Sequence, residues 1–85
     1  MERYRIEFAR SVRRDLRKIN KRDVLRILKA IEKLEVDPRP PNCKKLTRSE
    51  LYRIRVGRYR VVYEVFDETV VVMISKIGDR KDVYR

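Results

Sequence analysis

Over residues 2–8, Tyr4, Ile6 and Phe8 alternate with Arg3, Arg5 and Glu7, a period of two that predicts a half-buried strand. The period then changes. Val12, Leu16 and Ile19 recur at helical spacing, and Ser11 is placed to cap the start. Asn20-Lys21 interrupts this run. Asn20 is suited to cap a second helix, with Asp23 in its first turn and an apolar stripe of Val24, Ile27, Leu28, Ile31 and Leu34. Pro38, Pro40 and Pro41 stop that helix, and residues 38–50 read as a connecting segment. Residues 51–56, 59–66 and 69–77 are rich in Val, Ile and Tyr and read as three strands, separated by Gly57-Arg58 and Asp67-Glu68. Glycine at the first turn position suits a type II′ hairpin. The order β-α-α-β-β-β predicts an α+β fold: a helical hairpin packed on one face of a mostly antiparallel four-stranded sheet.

The first turn also fixes a register. A two-residue connection at 57–58 sets Val56 opposite Tyr59, Ile54 opposite Val61 and Tyr52 opposite Tyr63, all apolar or aromatic, so this is the core face. Side chains alternate along a strand, so the other face carries Arg55 directly across from Arg60, and Arg53 across from Val62. A two-residue turn at 67–68 then places Val70, Val72 and Ile74 on the core face, Ser75 beside Arg60 and Met73 beside Val62. Like charges directly opposite one another destabilise a sheet, and local rules tend to be broken where a chain carries function. Arginines held on a rigid sheet suit gripping a phosphate and stabilising charge that develops on it. The competing account is a solvated face of an exposed hairpin. Val62, Phe66, Val71 and Met73 share this face, an apolar patch that either packs under another segment or meets a protein partner.

Composition sharpens the chemistry. The 85 residues, expected to form one domain over 1–85, include 24 Lys+Arg against 13 Asp+Glu, a formal charge of +11. Sixteen of the cations are arginine, the planar group that reads phosphate bidentately. A polyanion partner follows from such a field; the competing account is plain solubility or thermophilic enrichment in charged residues. There is no histidine, so catalytic triads and imidazole proton shuttles are excluded. Cys43 is the single cysteine, which excludes an internal disulfide and a Cys/His zinc site within one chain. Gly57 and Gly78 are too far apart for a phosphate-cradling loop, and no cofactor is expected. The longest apolar run, Val70–Ile74, is far too short to span a bilayer. The N-terminus has no apolar core of a signal peptide, so no membrane partner and a cytoplasmic location are expected.

The segment 51–65, Leu-Tyr-Arg-Ile-Arg-Val-Gly-Arg-Tyr-Arg-Val-Val-Tyr-Glu-Val, together with Leu46 and the ending Ile-Gly-Asp-Arg-Lys-Asp-Val-Tyr at 77–84, resembles the RelE branch of the RelE/ParE toxin superfamily of toxin–antitoxin pairs. The resemblance covers nearly the whole chain, and the Arg…Tyr ending favours RelE over ParE. It implies a RelE-like, microbial-RNase-like fold and a metal-independent mRNA endoribonuclease (an mRNA interferase) that cuts in the ribosomal A site. There the 2′-OH attacks the adjacent phosphate, leaving a 2′,3′-cyclic phosphate and a 5′-OH, and translation stops. The family's basic pair falls on Arg53 and Arg55, its next-strand arginine on Arg60, and its C-terminal Arg and Tyr on Arg80 and Tyr84. Arg53 and Arg55 stand where several relatives carry Lys, and Asp79 where many carry His. Arginine stays protonated near neutral pH and is a poor base, which leaves Tyr84 as the general base among the matched residues. Neighbouring cations lower a phenol's pKa. Lys44, Lys45, Arg48, Arg58, Lys76 and Lys81 are expected to bind RNA or the ribosome, and an acidic, RelB-like antitoxin is the expected protein partner. Two other classes stay open: a ParE-like inhibitor of DNA gyrase without nuclease activity, and a catalytically weak nucleic-acid-binding module.

Overall fold

The computed structural model describes residues 3–79. Among the described residues the chain forms β1 (Arg5–Phe8), α1 (Arg10–Arg17), α2 (Lys21–Lys33), β2 (Lys44–Lys45), β3 (Leu51–Val56), β4 (Tyr59–Phe66) and β5 (Val71–Asp79). The strands make one mixed sheet in the order β1-β5-β4-β3-β2, with β1 parallel to β5 and the other pairs antiparallel. Both helices lie on one face. Val12, Ile27, Ile31 and Leu34 close there over Ile54, Val56, Val61, Tyr63, Val72, Ile74 and Ile77.

The strand count exceeds the expected four because Lys44 and Lys45, inside the expected connection, pair with Arg53 and Tyr52. Two residues carry no readable alternation, so β2 is held in the sheet by β3 rather than by its own pattern. Ser11 does not cap α1. Strand-type hydrogen bonding continues through Ala9, whose N–H donates to Ile74 O (2.8 Å), and Ala9 becomes the N-cap with no side-chain cap bond. Asn20 does cap α2: its side-chain oxygen accepts from the Asp23 N–H at 2.9 Å. That helix ends at Lys33, ahead of the prolines, where the chain turns and Glu35 O accepts the Tyr4 N–H (2.8 Å) at the start of the sheet.

The β3–β4 hairpin has the register that a two-residue turn requires, with Val56 opposite Tyr59, Ile54 opposite Val61 and Tyr52 opposite Tyr63. Gly57 takes φ +59 while Arg58 keeps an ordinary φ, the signature of a type II′ turn. A Cβ on Gly57 would meet nothing closer than Arg26 Nη1 at 3.9 Å, so the demand for glycine is conformational, not spatial. The second hairpin departs from expectation. Its turn runs over four residues, 67–70, and pairs Phe66 with Val71. A displacement of two residues keeps every side chain on its face, so Val72 and Ile74 are still fully buried in the core. Val70 instead sits in the turn at φ 57, a left-handed conformation that β-branched residues rarely adopt. A bulge at Ser75 then moves the register by one more residue, so Gly78 rather than Ser75 stands beside Arg60, and Lys76 rather than Met73 beside Val62.

One polar hub ties the connection after α2 to the sheet. Arg39 donates from Nη1 and Nη2 to the two oxygens of Asp67 (3.1 and 2.9 Å) and from Nε to Tyr52 Oη (3.0 Å), and its guanidinium lies 5.3 Å from the Tyr52 ring centre. Tyr4 Oη also donates to Asp67 (2.7 Å). Hydrogen bonds from Arg39 and then Tyr4 hold the Asp67 carboxyl below its usual pKa. A carboxylate with a lowered pKa contributes stability that is complete above its unfolded value and is lost as pH falls through the folded one. Asp67→Asn should therefore flatten the loss of stability below about pH 4, seen in urea midpoints across pH. Val70→Gly should raise the unfolding free energy by about 1 kcal/mol, seen as a higher urea midpoint, because glycine relieves the left-handed strain.

Candidate phosphate-binding site

The face of the sheet away from the helices carries the arginines. Arg55 and Arg60 are directly paired across β3 and β4, and Arg53 is flanked by Lys44 on β2 and Val62 on β4. Arg53 and Arg55 are two apart on one strand, so Lys44, Arg53, Arg55 and Arg60 project from one patch. They are not simply a solvated surface: Arg53 is 6% and Arg60 9% exposed, while Arg55 is open. Arg53 Nε has no hydrogen-bond partner in its buried position. Burying an unsatisfied donor costs about 1–3 kcal/mol, a cost that aliphatic packing at this position would avoid. Val62 and Val71 are buried on the same face, Met73 is half-buried, and Phe66 is exposed.

What holds the arginines in place lies behind them. The Tyr52 and Tyr63 rings stack on the core face, centroids 5.9 Å apart and planes 23° apart. Tyr63 Oη donates to Pro38 O at 2.7 Å, and burial pushes its phenol well above the ordinary range, so it stays neutral. Tyr52 is fixed by Arg39. The backbone bearing Arg53 is thus pinned by groups from the segment after α2. Nothing in the spacing of Arg39 between two prolines identifies it as that anchor, because its partners come from distant parts of the chain.

The remaining sequence-predicted residues divide. Lys44, Lys45 and Arg48 are exposed on β2 and the loop after it, and Arg48 has φ 60. An open concavity of about 570 Å³ links Lys44, Lys45, Leu46 and Thr47 to Arg53, so Lys44 and Lys45 are continuous with the cluster. Arg58 is tied down instead: its Nε and Nη2 donate to Asp79 Oδ2 (2.9 and 2.6 Å), which raises its already high pKa. Lys76 Nζ lies 3.5 Å from Asp15, whose other oxygen accepts the Ile77 N–H. Both cations are therefore partly neutralised. Arg80, Lys81 and Tyr84 lie outside the described residues. Among the described residues no group of three or more His, Cys, Asp or Glu side chains is placed to hold a metal ion, and no helix is long and apolar enough to cross a membrane.

Comparison with known proteins accounts for nearly the whole chain. Residues 6–84 match the family model described as the ParE toxin of the type II toxin–antitoxin system parDE. The chain is 33% identical to toxin RelG of Mycobacterium tuberculosis over 96% of this chain and 97% of that one. It is 30% identical to the putative toxin RelE1 of Methanocaldococcus jannaschii, over 96% of each. Its structure is similar to a chain of the archaeal RelE–RelB complex from Pyrococcus horikoshii, with a TM-score of 0.82 and 31% identity over 94% of this chain and 98% of that one, and to a chain of the M. tuberculosis RelBE2 complex, with a TM-score of 0.81 and 30% identity over 92% of this chain and 99% of that one.

Because Arg53 holds a buried, unsatisfied donor, Arg53→Met should leave stability unchanged or raise it by about 1–3 kcal/mol in urea denaturation. The same variant should bind phosphate-bearing ligands more weakly.

Proposed function

This chain belongs to the ParE/RelE family of type II toxins and is a RelE-type toxin, and we propose that it inhibits translation as a metal-independent, ribosome-dependent mRNA endoribonuclease. The observation that carries this reading is the gathering of Arg53, Arg55 and Arg60 on one rigid sheet face with Lys44 beside them. When a ribose 2′-oxygen bonds to the adjacent phosphorus, the phosphorane gains negative charge, and the bond to the 5′-oxygen then breaks. Preorganised cations around that phosphate lower the barrier. The resemblance adds Arg80 as a second phosphate contact and Tyr84 as the base that takes the 2′-OH proton; the leaving 5′-oxygen collects a proton to become 5′-OH. A site with so few proton-transfer groups suits a substrate already splayed and oriented by the ribosome. The exposed Lys44, Lys45 and Arg48 would add salt-dependent docking to ribosomal RNA. Since related RelE chains occur in complexes with RelB, the inhibitor assigned to this chain is an acidic RelB-like antitoxin that neutralises the basic face.

The second reading, inhibition of DNA gyrase, is favoured by the ParE description of the matching family model. Primer extension on translated message separates the two: codon-spaced cuts with intact supercoiling activity support the nuclease, and inhibited supercoiling without cuts supports the gyrase reading. Arg60→Ala should slow single-turnover cleavage on programmed ribosomes by ~10²–10³. Tyr84→Phe should slow it by ~10²–10⁴ while ribosome binding is retained, because the arginines are intact. Wild-type rates from both soluble variants would remove these residues from the catalytic group.

A further inference from the structure

The helix side of the molecule carries a second concentration of positive charge that the proposed cleavage does not use. Arg10, Arg13, Arg14 and Arg17 follow the i, i+3, i+4, i+7 spacing of one helical face, and all four are exposed. Val12 is buried on the opposite side of α1. The single carboxylate within α1, Asp15, is turned toward the sheet, where it accepts the Ile77 N–H and faces Lys76. The outward charge of α1 is therefore entirely positive. At about 1.5 Å per residue the stripe runs for about 10 Å, long enough to track a backbone rather than one phosphate. At its N-terminal end a concavity of about 370 Å³ is lined by Phe8, Arg10 and Arg13, with Phe8 38% exposed at the end of β1. Since α1 packs on the core face, this surface and the Arg53–Arg55–Arg60 patch lie on opposite sides of the sheet.

We propose that Phe8 and the α1 arginine stripe form a second, non-catalytic site that binds an unpaired nucleic-acid strand, one base stacked on Phe8 and the backbone phosphates on Arg10, Arg13, Arg14 and Arg17. An aromatic platform beside a basic track is the arrangement that holds single strands without reading sequence. Guanidinium groups favour phosphate through their paired donors. An acidic helix would need an apolar seam along this face, and a lipid surface would need a row of exposed apolar residues; the outward positions of α1 carry arginine and Ser11 instead.

The test is fluorescence anisotropy of the full chain with labelled oligothymidylate and with uncleavable 2′-O-methyl oligouridylate, across a salt series. Arg13→Gln/Arg17→Gln should weaken binding at least tenfold at low salt and reduce the log–log salt slope by about 1.4, the loss of two contacts at ~0.7 each. Phe8→Leu, which keeps apolar bulk but removes the ring, should weaken binding about fivefold or more. Circular dichroism of each variant checks the fold. Unchanged affinity in both α1-side variants, equal binding of a duplex with Phe8→Leu silent, or binding to phosphatidylglycerol vesicles but not to oligonucleotide would each overturn the proposal.

Discussion

The two-residue turn at Gly57-Arg58 is the constraint from which most of this molecule follows. A left-handed residue at its first position fixes which residues of β3 and β4 face one another. Once that pairing is set, one face must be Tyr52, Ile54 and Val56 against Tyr63, Val61 and Tyr59, and the helices have a surface to cover. The same pairing forces Arg55 against Arg60 on the reverse. Core and charge cluster are two sides of one ladder, so neither can be moved without the other. A one-residue slip would bury the arginines under α2 and expose the apolar face.

Holding guanidinium groups together on a sheet requires something stronger than the local preferences of the strands. That support comes from behind: the stacked Tyr52 and Tyr63, the Tyr63 bond to Pro38 O, and Arg39 reaching both Tyr52 and Asp67. Aromatic burial is worth far more than the cross-strand repulsion of about 0.2–1 kcal/mol that it opposes. The apolar side of the hairpin thus sets positions that the charged side would not choose for itself.

These relations differ in how visible they are in the sequence. The arginine patch is legible because a two-residue turn and the period of a strand leave a single register. The helices are legible from Val12, Leu16, Ile27 and Ile31, and the α2 cap from Asn20 and Asp23. Where several local signals compete, tertiary bonds decide. Ser11 is a good cap but loses to Ala9, whose N–H is claimed by Ile74 O. Asp67-Glu68 looks like a tight turn, yet Asp67 is drawn toward Arg39 and Tyr4 and the turn spreads to Val70. Lys44-Lys45 is too short to show a period, and the bulge at Ser75 leaves no mark in an otherwise regular run. The burial of Arg53 and Arg60 is equally hidden, since charge alone argues for exposure.

The order of the strands has a consequence for how the molecule comes into being. Among the described residues β5 is the last strand in chain order, yet it lies inside the sheet, between β1 and β4, and it supplies Val72, Ile74 and Ile77 to the core. A chain emerging from its N-terminus makes β1 first and must carry it without its neighbour until β5 has been translated. During that interval β3 and β4 can pair locally, but α1 lacks the strand on which it packs. Completion of the sheet is therefore delayed until β5 has emerged, and a product terminated before β5 lacks an interior strand instead of an edge. For a toxin, a core that closes only once β5 is in place ties the folded sheet face to synthesis of nearly all the described residues.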